Sequence, residues 1–237
     1  MKQLLLVTAI SFSSLAYADN GFYTSLKSGI SDTKFDNSKD QITFNGSDVD
    51  FKETLHNKDA DKSIYPNISA AVGFDFSKIS NINARAELEY SYKDKAKFNP
   101  AIEAIQDIDG SEAVNEESPF VKELKSQSLM LNGYYDFKNT SKFTPYVSAG
   151  VGVTRVKNAT QVFFEPENMT DTDNSFTWAA GLGVVYKVTE NVALDLGYRY
   201  VDAGEVEFNN YPIEGINFKT TADLVSHDYS LGIRYNF

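Results

Sequence analysis

The 237-residue chain has no cysteine and only two histidines, His56 and His227. Without cysteine there are no disulfides, so strand pairing and burial must hold the fold. With so little imidazole, the commonest general base and metal ligand is nearly missing. Ser226 precedes His227, but adjacent strand residues face opposite sides and cannot form a nucleophile–base pair without a bulge. Asp48, Asp50 and Glu53, or Asp171 and Asp173, lack the spacing of an EF-hand loop. The repeats Ala149-Gly150-Val151-Gly152-Val153 and Ala180-Gly181-Leu182-Gly183-Val184 lack the following helix that a phosphate loop requires. No catalytic residue, metal or cofactor is expected, and the chain does not read as an enzyme.

Long apolar runs are scarce as well. The one near the start, Leu4 to Ile10, follows Lys2 and precedes Ala16-Tyr17-Ala18, an A-x-A cleavage pattern. It is too short for a spanning helix and fits an export signal over residues 1–18, leaving residues 19–237 as one domain. Basic residues are also in deficit: 22 Lys and Arg stand against 33 Asp and Glu, a net charge of −11, which disfavours nucleic acid as a partner.

Period-two alternation is abundant. Phe176, Trp178, Ala180, Leu182, Val184 and Tyr186 alternate with Thr177, Ala179, Gly181, Gly183, Val185 and Lys187. Val192, Leu194, Leu196, Tyr198 and Tyr200 alternate with Ala193, Asp195, Gly197 and Arg199. Tyr229, Leu231, Ile233, Tyr235 and Phe237 alternate with Asp228, Ser230, Gly232, Arg234 and Asn236. Weaker or similar patterns start at Phe22, Ile64, Ile82, Leu124 and Phe143, giving eight strands. Apolar residues on one face and charges on the other, without helices to cover the apolar face, fit lipid outside and a polar lumen inside. The expected fold is all-β: a transmembrane, eight-stranded, antiparallel up-and-down β-barrel. Arg85, Glu87, Glu89, Asp136, Asp195, Arg199, Asp228 and Arg234 fall on the lumen face, where they are expected to pair as a plug.

The connections alternate between short (77–81, 138–142, 189–191) and long (31–62, 94–123, 157–174, 201–223). Short turns belong on the periplasmic side, so the barrel is expected to present four long extracellular loops. Those four segments hold 25 acidic and 10 basic residues. Within them Ile42-Thr43-Phe44 and Val49 to Phe51 flank Asn45-Gly46, a type I′ hairpin signal, and Ala101 to Ile108 suits one or two helical turns. Phe44, Phe51, Phe163, Phe164, Phe208, Tyr211 and Phe218 are either packing within strand extensions or exposed anchors for a partner.

Several stretches resemble the opacity-type porins, the opacity adhesins of bacterial outer membranes. They are Ala84-Arg85-Ala86-Glu87-Leu88-Glu89-Tyr90, Tyr135-Asp136-Phe137 with Phe143-Thr144-Pro145-Tyr146-Val147-Ser148-Ala149-Gly150, Asn191 to Tyr200, and the closing Leu231-Gly232-Ile233-Arg234-Tyr235-Asn236-Phe237. The resemblance covers strands and turns, and not the four long segments. It implies a surface-exposed protein of the Gram-negative outer membrane whose loops contact host cells. It further implies a terminal strand, with Tyr235 and Phe237, that the barrel-assembly machinery reads. Partners expected on this basis are outer-membrane lipid and lipopolysaccharide, the assembly machinery and a host-cell surface protein. The alternatives are a narrow porin-like channel or a structural barrel, with a lipid-modifying enzyme a distant third. Family loops that bind sulfated polysaccharide do so through basic residues, and here the loops are acidic.

Overall fold

The computed structural model describes residues 21–45, 50–56, 61–98, 120–162, 169–213 and 216–237. They form nine strands: β1 (Phe22–Asn45), β2 (Asp50–His56), β3 (Asp61–Asp75), β4 (Ala84–Phe98), β5 (Phe120–Asp136), β6 (Phe143–Val162), β7 (Met169–Lys187), β8 (Val192–Ile213) and β9 (Ile216–Asn236). All pairings are antiparallel, in chain order from β3 to β9, and β1 pairs with both β3 and β9 so that the sheet closes. Among the described residues β2 pairs with β1 alone, from Lys39↔His56 to Asn45↔Asp50, directly beyond the Phe35↔Asp61 end of the β1–β3 ladder. β2 and β3 therefore lie end to end as one arm, with 57–60 outside the described residues, and the barrel has eight staves. Closure matters because an unpaired backbone edge in hydrocarbon would cost several kcal/mol per group.

The three short connections gather at one end, with Phe22 and Phe237. A single 3₁₀ turn, Phe76–Lys78, is capped by Asp75, whose Oδ1 accepts from Ser77 N at 2.9 Å. Asn191 clamps the last turn: its Nδ2 donates to Asn236 O at 2.9 Å and its carbonyl accepts from Asn236 N at 2.8 Å. Outward aromatic pairs ring this turn end, with centroids 4.9 Å apart for Phe22–Phe74, 5.3 Å for Tyr135–Phe137 and 5.3 Å for Tyr235–Phe237. Above them Leu26, Leu88, Leu131, Val151, Leu182, Leu196 and Leu231 point outward and are exposed, as a lipid-facing band must be.

Along β5, β6, β8 and β9 the polarity of the two faces then inverts. On β6, Val151 and Val153 point outward, but Arg155 and Lys157 replace them, while the inner face changes from Thr154 to the fully buried Val156. On β5 the inward Leu124 succeeds Ser126 and Ser128, and on β9 the inward Leu224 and Ala222 succeed Asp228 and Ser226. β8 makes the change through a bulge at Asp202/Glu205, with Gly204 at φ +66°, a left-handed value that glycine adopts without Cβ strain. The far end is thus filled by Tyr65, Leu124, Val156, Ala203, Val206, Phe208 and Leu224. Tyr65 satisfies its phenol on Thr33 Oγ1 at 2.6 Å. Lipid outside demands apolar residues there; water outside allows the apolar residues to move in.

This inversion shortens three of the four expected long loops. Segments 31–62, 157–174 and 201–223 are strand for most of their length, whereas in 94–123 only 94–98 and 120–123 are, and 99–119 lie outside the described residues. They looked like loops because their outward faces are polar, whereas a closed ladder keeps its backbone paired with or without lipid. Asn45 closes β1 opposite Asp50, so the hairpin expected at Asn45-Gly46 is present as the β1–β2 pairing, while 46–49 lie outside the described residues. The helical turns expected over Ala101 to Ile108 lie outside the described residues. Regular pairing is not kept everywhere: the β3–β4 ladder stops at Asn67↔Lys93. The β7–β8 ladder stops at Trp178↔Asp202, and beyond it Asp173 and Asp171 accept from the backbone of Glu207 and Asn209 at 2.9 and 2.7 Å.

If the far end has its own hydrophobic core, emptying it should loosen that end alone. Phe208→Ala should cost about 3–5 kcal/mol in urea unfolding from vesicles. Limited proteolysis should then cut first within 201–223, with the lipid-embedded half still protected.

Candidate functional site

Two regions carry the chemistry: the lumen within the lipid-facing band, and the far end. In the lumen, strand parity brings the predicted charges together. Arg85 Nε and Nη2 grip Asp136 at 2.8 and 3.0 Å, a planar two-point match, and Arg85 Nη1 stands 3.6 Å from Glu87 Oε1. Its guanidinium also lies 4.3 Å from the Tyr134 ring centroid and 5.3 Å from that of Tyr146. Arg199 Nη1 donates to Glu89 Oε1 at 2.7 Å and Nη2 stands 3.7 Å from Asp228 Oδ2. Asp195 accepts from Tyr146 OH at 2.7 Å. Arg234 joins no ion pair among the described residues; its guanidinium lies 5.2 Å from the Tyr23 ring centroid, and its Nε and Nη1 are buried without a hydrogen-bond partner.

Two lysines and three tyrosines outside the predicted set complete this network, of which Lys93 and Tyr134 fall on the lumen face by strand parity alone. Lys27 Nζ reaches Glu87 at 3.1 Å, Glu89 at 3.2 Å and Tyr134 OH at 3.3 Å. Lys93 Nζ reaches Asp228 Oδ1 and Ser226 Oγ, each at 2.8 Å. Tyr134 OH donates to Glu87 at 2.7 Å, and Tyr23 OH accepts from Arg85 Nη1 at 3.4 Å. The signal was present in β1, where Tyr23, Ser25, Lys27 and Gly29 form the face opposite Phe22, Thr24 and Leu26. With them the lumen holds Lys27, Arg85, Lys93, Arg199 and Arg234 against Glu87, Glu89, Asp136, Asp195 and Asp228, an equal count of both signs. A cavity of about 40 Å³ beside Lys27, Ser91, Arg199 and Asp228 has room for a few waters and no more. Ser226 belongs to this network, while His227 faces outward with Nδ1 2.8 Å from Tyr198 OH, so the two stand on opposite faces.

At the far end the aromatic candidates separate. Phe208 is 2% exposed and packs inside the barrel, which corrects its reading as a surface anchor. Parity carried on from Leu194 would aim it outward; the bulge at Asp202/Glu205 turns it in. Phe44 and Phe51 are cross-strand partners, Ile42 pairs with Phe218, and Tyr211 lies on β8. Phe163 and Phe164 lie outside the described residues. The connecting segments 46–49, 99–119, 163–168 and 214–215 contain ten Asp and Glu and no Lys, Arg or His. Nearer the barrel, Lys219 Nζ pairs with Glu207 at 2.7 Å and holds that carboxyl below its usual range.

A closed eight-stave barrel with an apolar belt, a charge-filled lumen and a ring of aromatics at its turn end defines an outer-membrane β-barrel. Comparison with known proteins agrees. The family model described as "Outer membrane protein beta-barrel domain" matches residues 3–237. The chain is 32% identical to outer membrane protein PagN of Salmonella typhimurium, over 96% of this chain and 95% of that protein. It is 29% identical to opacity protein opA67 of Neisseria gonorrhoeae, over 74% and 78%. It is 27% identical to the Rickettsia conorii protein named "Putative adhesin RC1281", over the whole of both chains. The chain therefore belongs to the opacity-type family of outer-membrane β-barrels, and its location is the outer membrane of a Gram-negative cell.

The lumen pairs are too buried to lose one member cheaply. Arg85→Ala leaves Asp136 without its cation at a site where both side chains are almost wholly enclosed, and should cost about 3–5 kcal/mol in unfolding free energy. Wild-type protein in planar bilayers should conduct weakly or not at all, and a large steady conductance would show that the network does not close the lumen.

Proposed function

We propose that this barrel is a surface adhesin that engages a host-cell protein through its far end. The observation that carries the proposal is the far end itself. Its strands continue past the lipid belt on a hydrophobic core and carry connecting segments that are uniformly acidic. A bare membrane anchor needs no such extension. The name of the Rickettsia relative supports the same class of activity, and short turns at the other end support an orientation with the far end outside the cell.

The rest of the proposal follows the chain. Residues 1–18 act as the export signal, and Tyr235 and Phe237 at the end of the closing strand serve the barrel-assembly machinery. Lipopolysaccharide surrounds the belt. Neither a reaction nor a cofactor is part of the proposal. A narrow channel is the weaker reading, because the lumen is filled by mutually paired side chains.

The acidic segments would repel a sulfated chain and steer a basic protein surface. Adhesion of cells bearing the protein should therefore survive enzymatic removal of heparan sulfate from the host cell. Part of it should weaken with added salt, since exposed charges are screened over roughly 8 Å at physiological ionic strength. The salt-resistant part should fall when Phe44, Phe164 and Phe218 are changed together to Ser. Adhesion that vanishes with heparan sulfate, or that never exceeds that of a barrel with shortened connections, would contradict the proposal. Deleting Phe237 should separately lower the amount of heat-modifiable barrel in the outer membrane.

A further inference from the structure

The outer wall carries a basic patch across β5 and β6. On β6 the outward row runs Val147, Ala149, Val151, Val153 and then Arg155 and Lys157; on β5 it runs Leu131, Leu129 and then Gln127 and Lys125. Lys125 is the direct cross-strand partner of Lys157, and Gln127 that of Arg155. All three cations point outward, away from the hydrophobic far-end core. Asp94 stands 3.6 Å from Lys125; Arg155 and Lys157 have no acidic partner among the described residues.

Two features make this patch unlike ordinary solvated charge. Like charges directly opposite on neighbouring strands are within about 4.5–5.5 Å at Cβ and destabilise the pair unless something neutralises them. Their depth is also defined. They occupy the first two outward positions beyond the apolar band, at the level where the inner face changes from Thr154 to Val156. With about 3.4 Å per residue and a tilt near 45°, that places them roughly 5–10 Å above the hydrocarbon edge. A bilayer presents its headgroup phosphates there. The surroundings suit such a ligand: Asn174 and Thr172 on β7 are the cross-strand partners of Arg155 and Lys157. Below, Ala86, Gly133, Ala149 and Ala180 are successive cross-strand partners, a row of small outward residues over which acyl chains can lie close to the wall.

We propose that Lys125, Arg155 and Lys157 form a binding site for the phosphate groups of an outer-leaflet phosphoglycolipid, that is, of lipopolysaccharide. One lipid thereby occupies the β5–β6 face by direct contact with cationic side chains, without a divalent bridge. The inference needs only the outer-membrane location and is independent of what the far end adheres to.

The test uses full-length protein isolated folded from outer membranes and inserted into vesicles containing either phosphorylated lipid A or its dephosphorylated form. Bound lipid is read by native mass spectrometry after exchange into detergent, with and without EDTA. The wild type should retain the phosphorylated lipid over the dephosphorylated one, with EDTA present. Arg155→Gln with Lys157→Gln should cut that retention by about tenfold, while heat-modifiability and adhesion remain unchanged. Lys187→Gln, at the turn end, should retain it fully. Equal retention of both lipids by the wild type, loss of the preference in EDTA, or full retention by a folded double variant would each overturn the proposal. If the double variant fails to fold, the wild-type comparison of the two lipids still decides.

Discussion

Pairing of β1 with β9 is the constraint on which everything else depends. Hydrocarbon offers no hydrogen bonds, so a sheet crossing it must have no open edge, and the ladder from Tyr23↔Asn236 to Phe44↔Ile216 removes the last one. Once the sheet is closed, each residue's face is fixed by parity and by the bulges that reset it. The lumen network, the lipid belt and the basic patch are consequences of where polar residues fall in that alternation. Closure also explains why the pairing continues beyond the belt. A ladder that needs no lipid for its own hydrogen bonds can extend into water as long as its inner face finds something to pack against.

The lipid-embedded half was legible in the sequence because one physical rule governs it throughout. Arg85, Glu87 and Glu89 alternate with Ala86, Leu88 and Tyr90, and the structure sets them on opposite faces as the alternation predicts. The far half was misread as loop because the rule reverses there without a break in the chain. Val156 follows Thr154 on the same inner face, so an outward apolar stripe seems to end when the strand does not. Phe208 shows the sharper failure. A single bulge around Gly204 moves it to the other face, and composition gives no measure of when a glycine bulges a strand and when it merely sits in one.

In the candidate site, the charges of β4, β5, β8 and β9 that pair with one another were mostly legible, while Lys27 and the tyrosines that join them were not. Lys27 lies in a first strand whose outward face is interrupted by Thr24 and Ser28, so its alternation, and with it the inward position of Lys27, is weakly marked. Tyrosine is harder still. Parity puts Tyr134 inward, but residue type does not separate Tyr23, Tyr134 and Tyr146 from the belt aromatics; their rings lie inside beside Arg85, and Tyr134 and Tyr146 donate their hydroxyls to Glu87 and Asp195. In a narrow barrel an amphipathic ring fills volume and satisfies a carboxylate with one side chain.

The inversion of polarity raises the question of why the lumen is not apolar along its whole length. Buried ion pairs are poor stabilisers compared with hydrophobic filling, and the far end shows that this chain can fill a barrel with Val, Leu and Phe. Apolar filling of the lipid-embedded half, however, would make both faces of each stave apolar at once. Strands of 15 to 24 residues would then contain apolar runs approaching the length that a membrane takes as a spanning helix. A chain bound for the outer membrane must first pass the inner one, so every stretch of it has to keep one polar face. Beneath the inversion that face is the lumen, which must therefore hold charge and balance it. Above the inversion the polar face is outside, and the interior is free to be hydrophobic. The paired lumen and the hydrophobically filled far end are two answers to the same demand, and only the second turns its polar face to water.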